Sequence, residues 1–77
     1  MEPEQLVEII EGALLAAGEP LSKRQLGQLF DDLERPSTKA ISDALVQIAE
    51  RCEGRGFELV EVASGYRFQV RQHLSRS

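Results

Sequence analysis

The residues best equipped for chemistry fall in one stretch, GRGFELVEVASGYRFQVR, residues 54–71. Arg55 stands between two glycines, and Arg67 and Arg71 follow on strand-like spacing. Guanidinium groups so placed on a hairpin could contact phosphates, since arginine presents a fork of donors to an oxyanion. The other reactive side chains lead away from catalysis. His73 is the single histidine, and nothing pairs it with a nucleophile. Cys52, the single cysteine, lies on an apolar helical stripe where a thiol acts as a small hydrophobe. Asp31, Asp32 and Glu34 lack neighbouring ligands at metal spacing and read as a solvated helix end. The GRG triplet lacks the lysine and the Ser or Thr of a phosphate loop. We therefore expect no enzyme, no cofactor and no metal.

Charge limits the phosphate reading. The 77 residues carry a net charge of −4, unevenly spread. Residues 1–34 hold eight acids against two bases, and residues 35–77 hold seven bases against five acids. A polyanion is repelled by the first part and weakly attracted by the second. Composition is that of an ordinary globular chain, 42% hydrophobic and 29% charged. A domain of this size buries only about 60% of its unfolded surface, so a partner would help it. One cysteine excludes an internal disulfide and suits a reducing compartment. The apolar run ALLAAG is too short to span a bilayer, and the acidic MEPEQ is no signal peptide. These features favour the cytoplasm.

Three helices are expected to position the hairpin. The first runs over about 3–17, with Leu6, Val7, Ile9, Ile10, Ala13, Leu14 and Ala17 as its apolar stripe and Gly18 as its stop. Leu15 falls on the polar side, between Glu8 and Glu11. The second opens at Ser22, whose capping box is completed by Gln25, with Leu21 and Leu26 as a staple. Leu26, Leu29, Phe30 and Leu33 are its expected buried face, and ERPS its connector to the third. That helix covers about 38–52, with Ser37 or Thr38 as cap and Ile41, Ala44, Leu45, Ile48, Ala49 and Cys52 facing inward. The sequence also allows a short strand at 19–21.

For the hairpin, a three-residue loop Ala63-Ser64-Gly65 with Gly65 in a left-handed bulge position gives the best register. It pairs Val62 with Tyr66 and Val60 with Phe68 against the helices, and Glu61 with Arg67 outside. Phe57 and Leu59 then lie outside with Arg67, Gln69 and Arg71. The predicted architecture is α+β: a winged helix-turn-helix over residues 1–72, with 73–77 a tail or the start of a further domain.

Two kinds of partner compete for this architecture. In a DNA-binding winged helix the exposed face of the third helix enters the major groove. Here that face holds Lys39, Asp43, Val46, Gln47 and Glu50, one base and two acids. Like charges against the phosphates argue against base readout, leaving Arg55, Arg67 and Arg71 as weak nucleic-acid contacts. A DNA-binding transcriptional regulator is thus the second reading. The apolar surplus favours a protein partner, with Leu15, Phe57, Leu59, Arg67, Gln69 and Arg71 as the candidate surface.

The segments IIEGALLAAGEPLS, RPSTKAISDAL and GRGFELVEVASGYRFQVR resemble the N-terminal region of the bacterial segregation and condensation protein B family, over residues 7–71. The resemblance implies a tandem winged-helix protein, here its N-terminal domain. It implies a non-enzymatic scaffold in chromosome condensation and segregation, nucleoid-associated in the cytoplasm. It also implies a homodimer that binds the kleisin subunit, segregation and condensation protein A, and through it the structural-maintenance-of-chromosomes ATPase. DNA contact would be indirect or weak. The sequence stops short of a second winged helix, so the resemblance carries self-association to these residues more directly than kleisin binding.

Overall fold

The computed structural model describes residues 2–71. Helix α1 spans Pro3–Ala17, α2 Lys23–Gly27 and α3 Thr38–Arg51; strands β1, Phe57–Val62, and β2, Gly65–Val70, form an antiparallel hairpin. Three helices followed by a two-stranded wing make the expected winged helix. The tail assigned to 73–77, with His73, lies outside the described residues.

Local chemistry sets the helix ends. Pro3 takes the first position of α1, where its missing N–H costs nothing, and Gly18 ends the helix at φ 69°. Ser22 and Gln25 cap α2 reciprocally: the Gln25 N–H donates to Ser22 Oγ at 3.1 Å and the Ser22 N–H to Gln25 Oε1 at 2.9 Å. For α3 the cap is Ser37, whose Oγ accepts from the Ala40 N–H at 3.1 Å. Such caps contribute about 1 kcal/mol each.

The core gathers Leu6, Val7, Ile10 and Leu14 from α1, Leu26 and Phe30 around α2, and Ile41, Ala44, Leu45, Ile48 and Cys52 from α3. Fully burying a large aliphatic stabilises by roughly 1.5–3 kcal/mol. Leu21, Leu59, Tyr66 and Phe68 pack against this cluster from the sheet side. Ala49, expected inside, is exposed.

The second helix is shorter than its apolar spacing predicts. After Gly27 the backbone tightens into i→i+3 bonds, Leu29 N–H to Leu26 O and Phe30 N–H to Gly27 O. The guanidinium of Arg35 then folds back, 3.5 Å from the Phe30 carbonyl and 3.3 Å from Asp32. Asp31 and Asp32 are residues that favour turns over helix interiors. Phe30 still reaches the core, but Leu29 is half-exposed and Leu33, at 98% exposure, covers nothing.

The wing differs from expectation in register. Val62 pairs with Gly65, Glu61 with Tyr66, Val60 with Arg67, Leu59 with Phe68 and Phe57 with Val70, so the turn is the two residues Ala63-Ser64. Gly65 is the first residue of β2 and no bulge. Its φ of 142° suits glycine, and a Cβ there would overlap the carbonyl carbon of Leu21. The demand for glycine comes from this tertiary approach and not from the loop. It lets Leu21 bridge Tyr66: the Leu21 N–H donates to Tyr66 O at 3.0 Å and the Tyr66 N–H to Leu21 O at 2.8 Å. The strand allowed at 19–21 is thus a single bridge on the outer side of β2.

Candidate partner interface

One residue of slip turns a strand over. On β2 the expectation holds, with Tyr66 and Phe68 against the core. On β1 it is inverted. Leu59 packs against the core, and the Phe57 ring meets Phe68 edge-to-face at 5.5 Å. Phe57 and Leu59 therefore do not share the outer face with Arg67, Gln69 and Arg71. That face carries Glu58, Val60 and Val62 from β1 instead. No marker within the hairpin separates the two registers; the deciding contact is Leu21 against Gly65, from outside it.

The arginines are also redistributed. Arg71 serves as an internal clamp, with its side chain 21% exposed. Its Nε donates to the Arg55 carbonyl at 3.0 Å, one terminal nitrogen to the Cys52 carbonyl at 2.9 Å and the other to Glu58 Oε1 at 3.2 Å. It ties the end of β2 to the end of α3 and is unsuited to meeting a phosphate. Gln69 joins this row by donating to Glu58 Oε2 at 3.1 Å, and Arg67 donates to Gln69 Oε1 at 3.4 Å. The expected Arg67–Glu61 pairing is absent, since Arg67 stands opposite Val60 and Glu61 opposite Tyr66. Arg55 is exposed, with its Nε on the Arg51 carbonyl at 3.2 Å.

The outward side of α3 is poor in free positive charge. Lys39 is held by Asp43 at 3.0 Å, and Gln47 and Glu50 complete the polar part. Val46 stays 56% exposed. Beside it an open, mostly apolar groove of about 300 Å³ runs between α3 and β1, with Val46, Ala49, Leu59 and Tyr66 in its lining and Ser42 and Glu61 as polar members. Lys23 stands at its rim with its ammonium 6.0 Å from the Tyr66 ring centre. Leu15, 63% exposed, lies elsewhere: it lines a second groove with Pro20, Arg67 and Phe68. Of the residues assigned to one partner surface, Leu15 and Arg67 thus stay close, while Phe57 and Leu59 turn inward beside α3. Among the described residues no group of three or more His, Cys, Asp or Glu could hold a metal, and no helix is long and apolar enough to cross a membrane.

Known proteins share the family pattern and the fold of this chain. Residues 8–77 match the family model of the segregation and condensation complex subunit ScpB. A segregation and condensation protein B homolog from Coxiella burnetii is 46% identical over 67 residues, 87% of this chain and 32% of the homolog. The chain thus spans about a third of that relative's length. Among solved structures, ScpB from Mycobacterium tuberculosis superposes with a TM-score of 0.81 at 21% identity, over 97% of this chain and 46% of the other. A dimer of the ScpB N-terminal domain complexed with a ScpA peptide superposes with a TM-score of 0.76 at 26% identity, over 90% of this chain and 78% of the other. This chain, a winged helix whose third helix has little free positive charge and lies beside an open, mostly apolar groove, belongs to the ScpB family of segregation and condensation complex subunits.

Proposed function

We propose that this chain is the N-terminal winged-helix unit of a scaffold subunit that self-associates and joins a kleisin, ScpA, in a bacterial SMC complex for chromosome condensation and segregation. The observation that carries the reading is the similarity, over 90% of this chain, to an ScpB N-terminal domain that forms a dimer with a bound ScpA peptide. The surface supports it. Val46, Leu15 and the α3–β1 groove leave apolar area for a protein partner. The scaffold acts by holding chains together, in the cytoplasm and without chemistry of its own.

A DNA regulator is the weaker reading, because Lys39 is neutralised by Asp43 and Arg71 is engaged within the fold. Light scattering of the chain at tens of micromolar, alone and with ScpA, tests the proposal. The expected result is a dimer that takes up ScpA, and duplex DNA binding that fades as salt rises. A strict monomer indifferent to ScpA, with tight sequence-dependent DNA binding, would replace the scaffold with the regulator.

A further inference from the structure

The two edges of the wing are unequal. Leu21 bridges the outer edge of β2 at Tyr66 alone, and among the described residues no backbone bonds to the outward groups of Phe68 and Val70. On β1 the Gly56 carbonyl accepts from the Arg71 N–H, so by antiparallel alternation Glu58, Val60 and Val62 bond to β2. The N–H and C=O groups of Phe57, Leu59 and Glu61 then point the other way. No other backbone among the described residues bonds to them. Native sheets usually blunt such an edge with a charge, a bulge or a covering segment. Here Glu58 is drawn aside by Arg71, Glu61 near the turn is the one charge left free on the strand among the described residues, the strand is regular over its six residues, and the edge opens on the mostly apolar groove beside Val46 and Ala49.

We propose that a second copy of this chain adds its own β1 antiparallel to this edge, Leu59 against Leu59, making one continuous sheet across a two-fold axis. The inference rests on the self-association proposed above and names its surface. The register follows from three constraints. A two-fold axis makes the contact isologous, so each residue meets its counterpart reciprocally. The outward-pointing residues must meet one another, which sets Leu59 on the axis and Phe57 opposite Glu61 and brings every free edge group into a hydrogen bond. A one-residue shift would instead face Glu58 with Glu61, two like charges, and break the bonding pattern.

Charge favours the same arrangement. Glu61 is exposed and has no ion pair among the described residues, and neither has Arg55. In the Leu59-centred register Arg55 lies diagonally beside Glu61 of the second copy, twice by symmetry. Phe57 and Leu59 of the second copy then extend the floor beneath Val46 and Ala49. The occupant is thus a strand with this chain's own alternation, apolar at two positions and acidic at the third, with a base two residues ahead of the first. This is β-strand addition between identical chains.

Sedimentation equilibrium on the whole chain tests it with Arg55→Glu, Glu61→Arg and the double variant, each checked for native circular dichroism. Each single variant should weaken the dimer by about tenfold, and the double variant should restore it, because two symmetric pairs are reversed and then re-formed. Singles that dimerise as tightly as the parent chain would overturn the edge contact while leaving self-association in place. A parent chain that stays monomeric would remove the self-association reading itself. Singles that keep the dimer but lose ScpA binding would assign the edge to ScpA and overturn a second copy as its occupant.

Discussion

The two edges of the wing show how one hairpin can be finished in opposite ways. On β2 the backbone of Leu21 approaches so closely that residue 65 has no room for a Cβ, and two hydrogen bonds hold the edge at Tyr66. On β1 an equally long row of backbone groups faces an open apolar groove. One edge is held within the chain next to the turn, where the close approach of Leu21 favours glycine at residue 65. The other keeps its bonding capacity for another chain. A small domain that buries a limited fraction of its surface gains most from a partner at such a place.

The contrast can be broken most severely at Gly65. Gly65→Ala should lower stability by about 3 kcal/mol, through overlap with the Leu21 backbone and an unfavourable φ. Urea denaturation measures this; a loss under about 1 kcal/mol would mean that the closed edge is not so tightly closed. Arg71→Met should come next, at about 2 kcal/mol, because the Cys52 and Arg55 carbonyls and Glu58 lose a charged donor. The same denaturation experiment checks it, and an unchanged midpoint would remove the clamp from the account.

Smaller effects sharpen the comparison. Ser22→Ala removes the cap that follows directly on Leu21 and should cost about 1 kcal/mol, with faster amide exchange at Gln25. Leu33→Ser should change thermal stability by less than about 0.5 kcal/mol, since the side chain is 98% exposed. It separates apolar exposure as such from the open edge: the dimer should be indifferent to Leu33 and sensitive to Arg55 and Glu61.

Much of the helical part was legible in the sequence, because helical spacing and capping chemistry are local. Pro3, Gly18, Ser22 with Gln25, and Ser37 mark boundaries close to those observed. The second helix is shorter than its spacing implies: the apolar pattern runs on to Leu33, but the two aspartates and the fold-back of Arg35 turn the chain first. The wing is legible as a hairpin, but its register differs by one residue from the one that alternation favours. Gly65 looks like a loop glycine in the sequence, whereas its reason is the Leu21 backbone, more than 40 residues earlier in the chain. That one residue moved Phe57 and Leu59 inward and Val60 and Val62 outward. It also put Arg67 opposite Val60 in place of Glu61. Candidate surfaces built on alternation inherit such a slip whole.

Residue-resolved amide exchange across a dilution series tests the contrast between the edges most directly. The Leu21 and Tyr66 amides, bonded to each other's carbonyls within one chain, should stay protected at every concentration. Those of Phe57, Leu59 and Glu61 should be protected only where the sample sediments at twice the 8.6 kDa chain mass, and should exchange freely on dilution to monomer. Free exchange at Leu59 in a sample of fully dimeric mass would contradict the account.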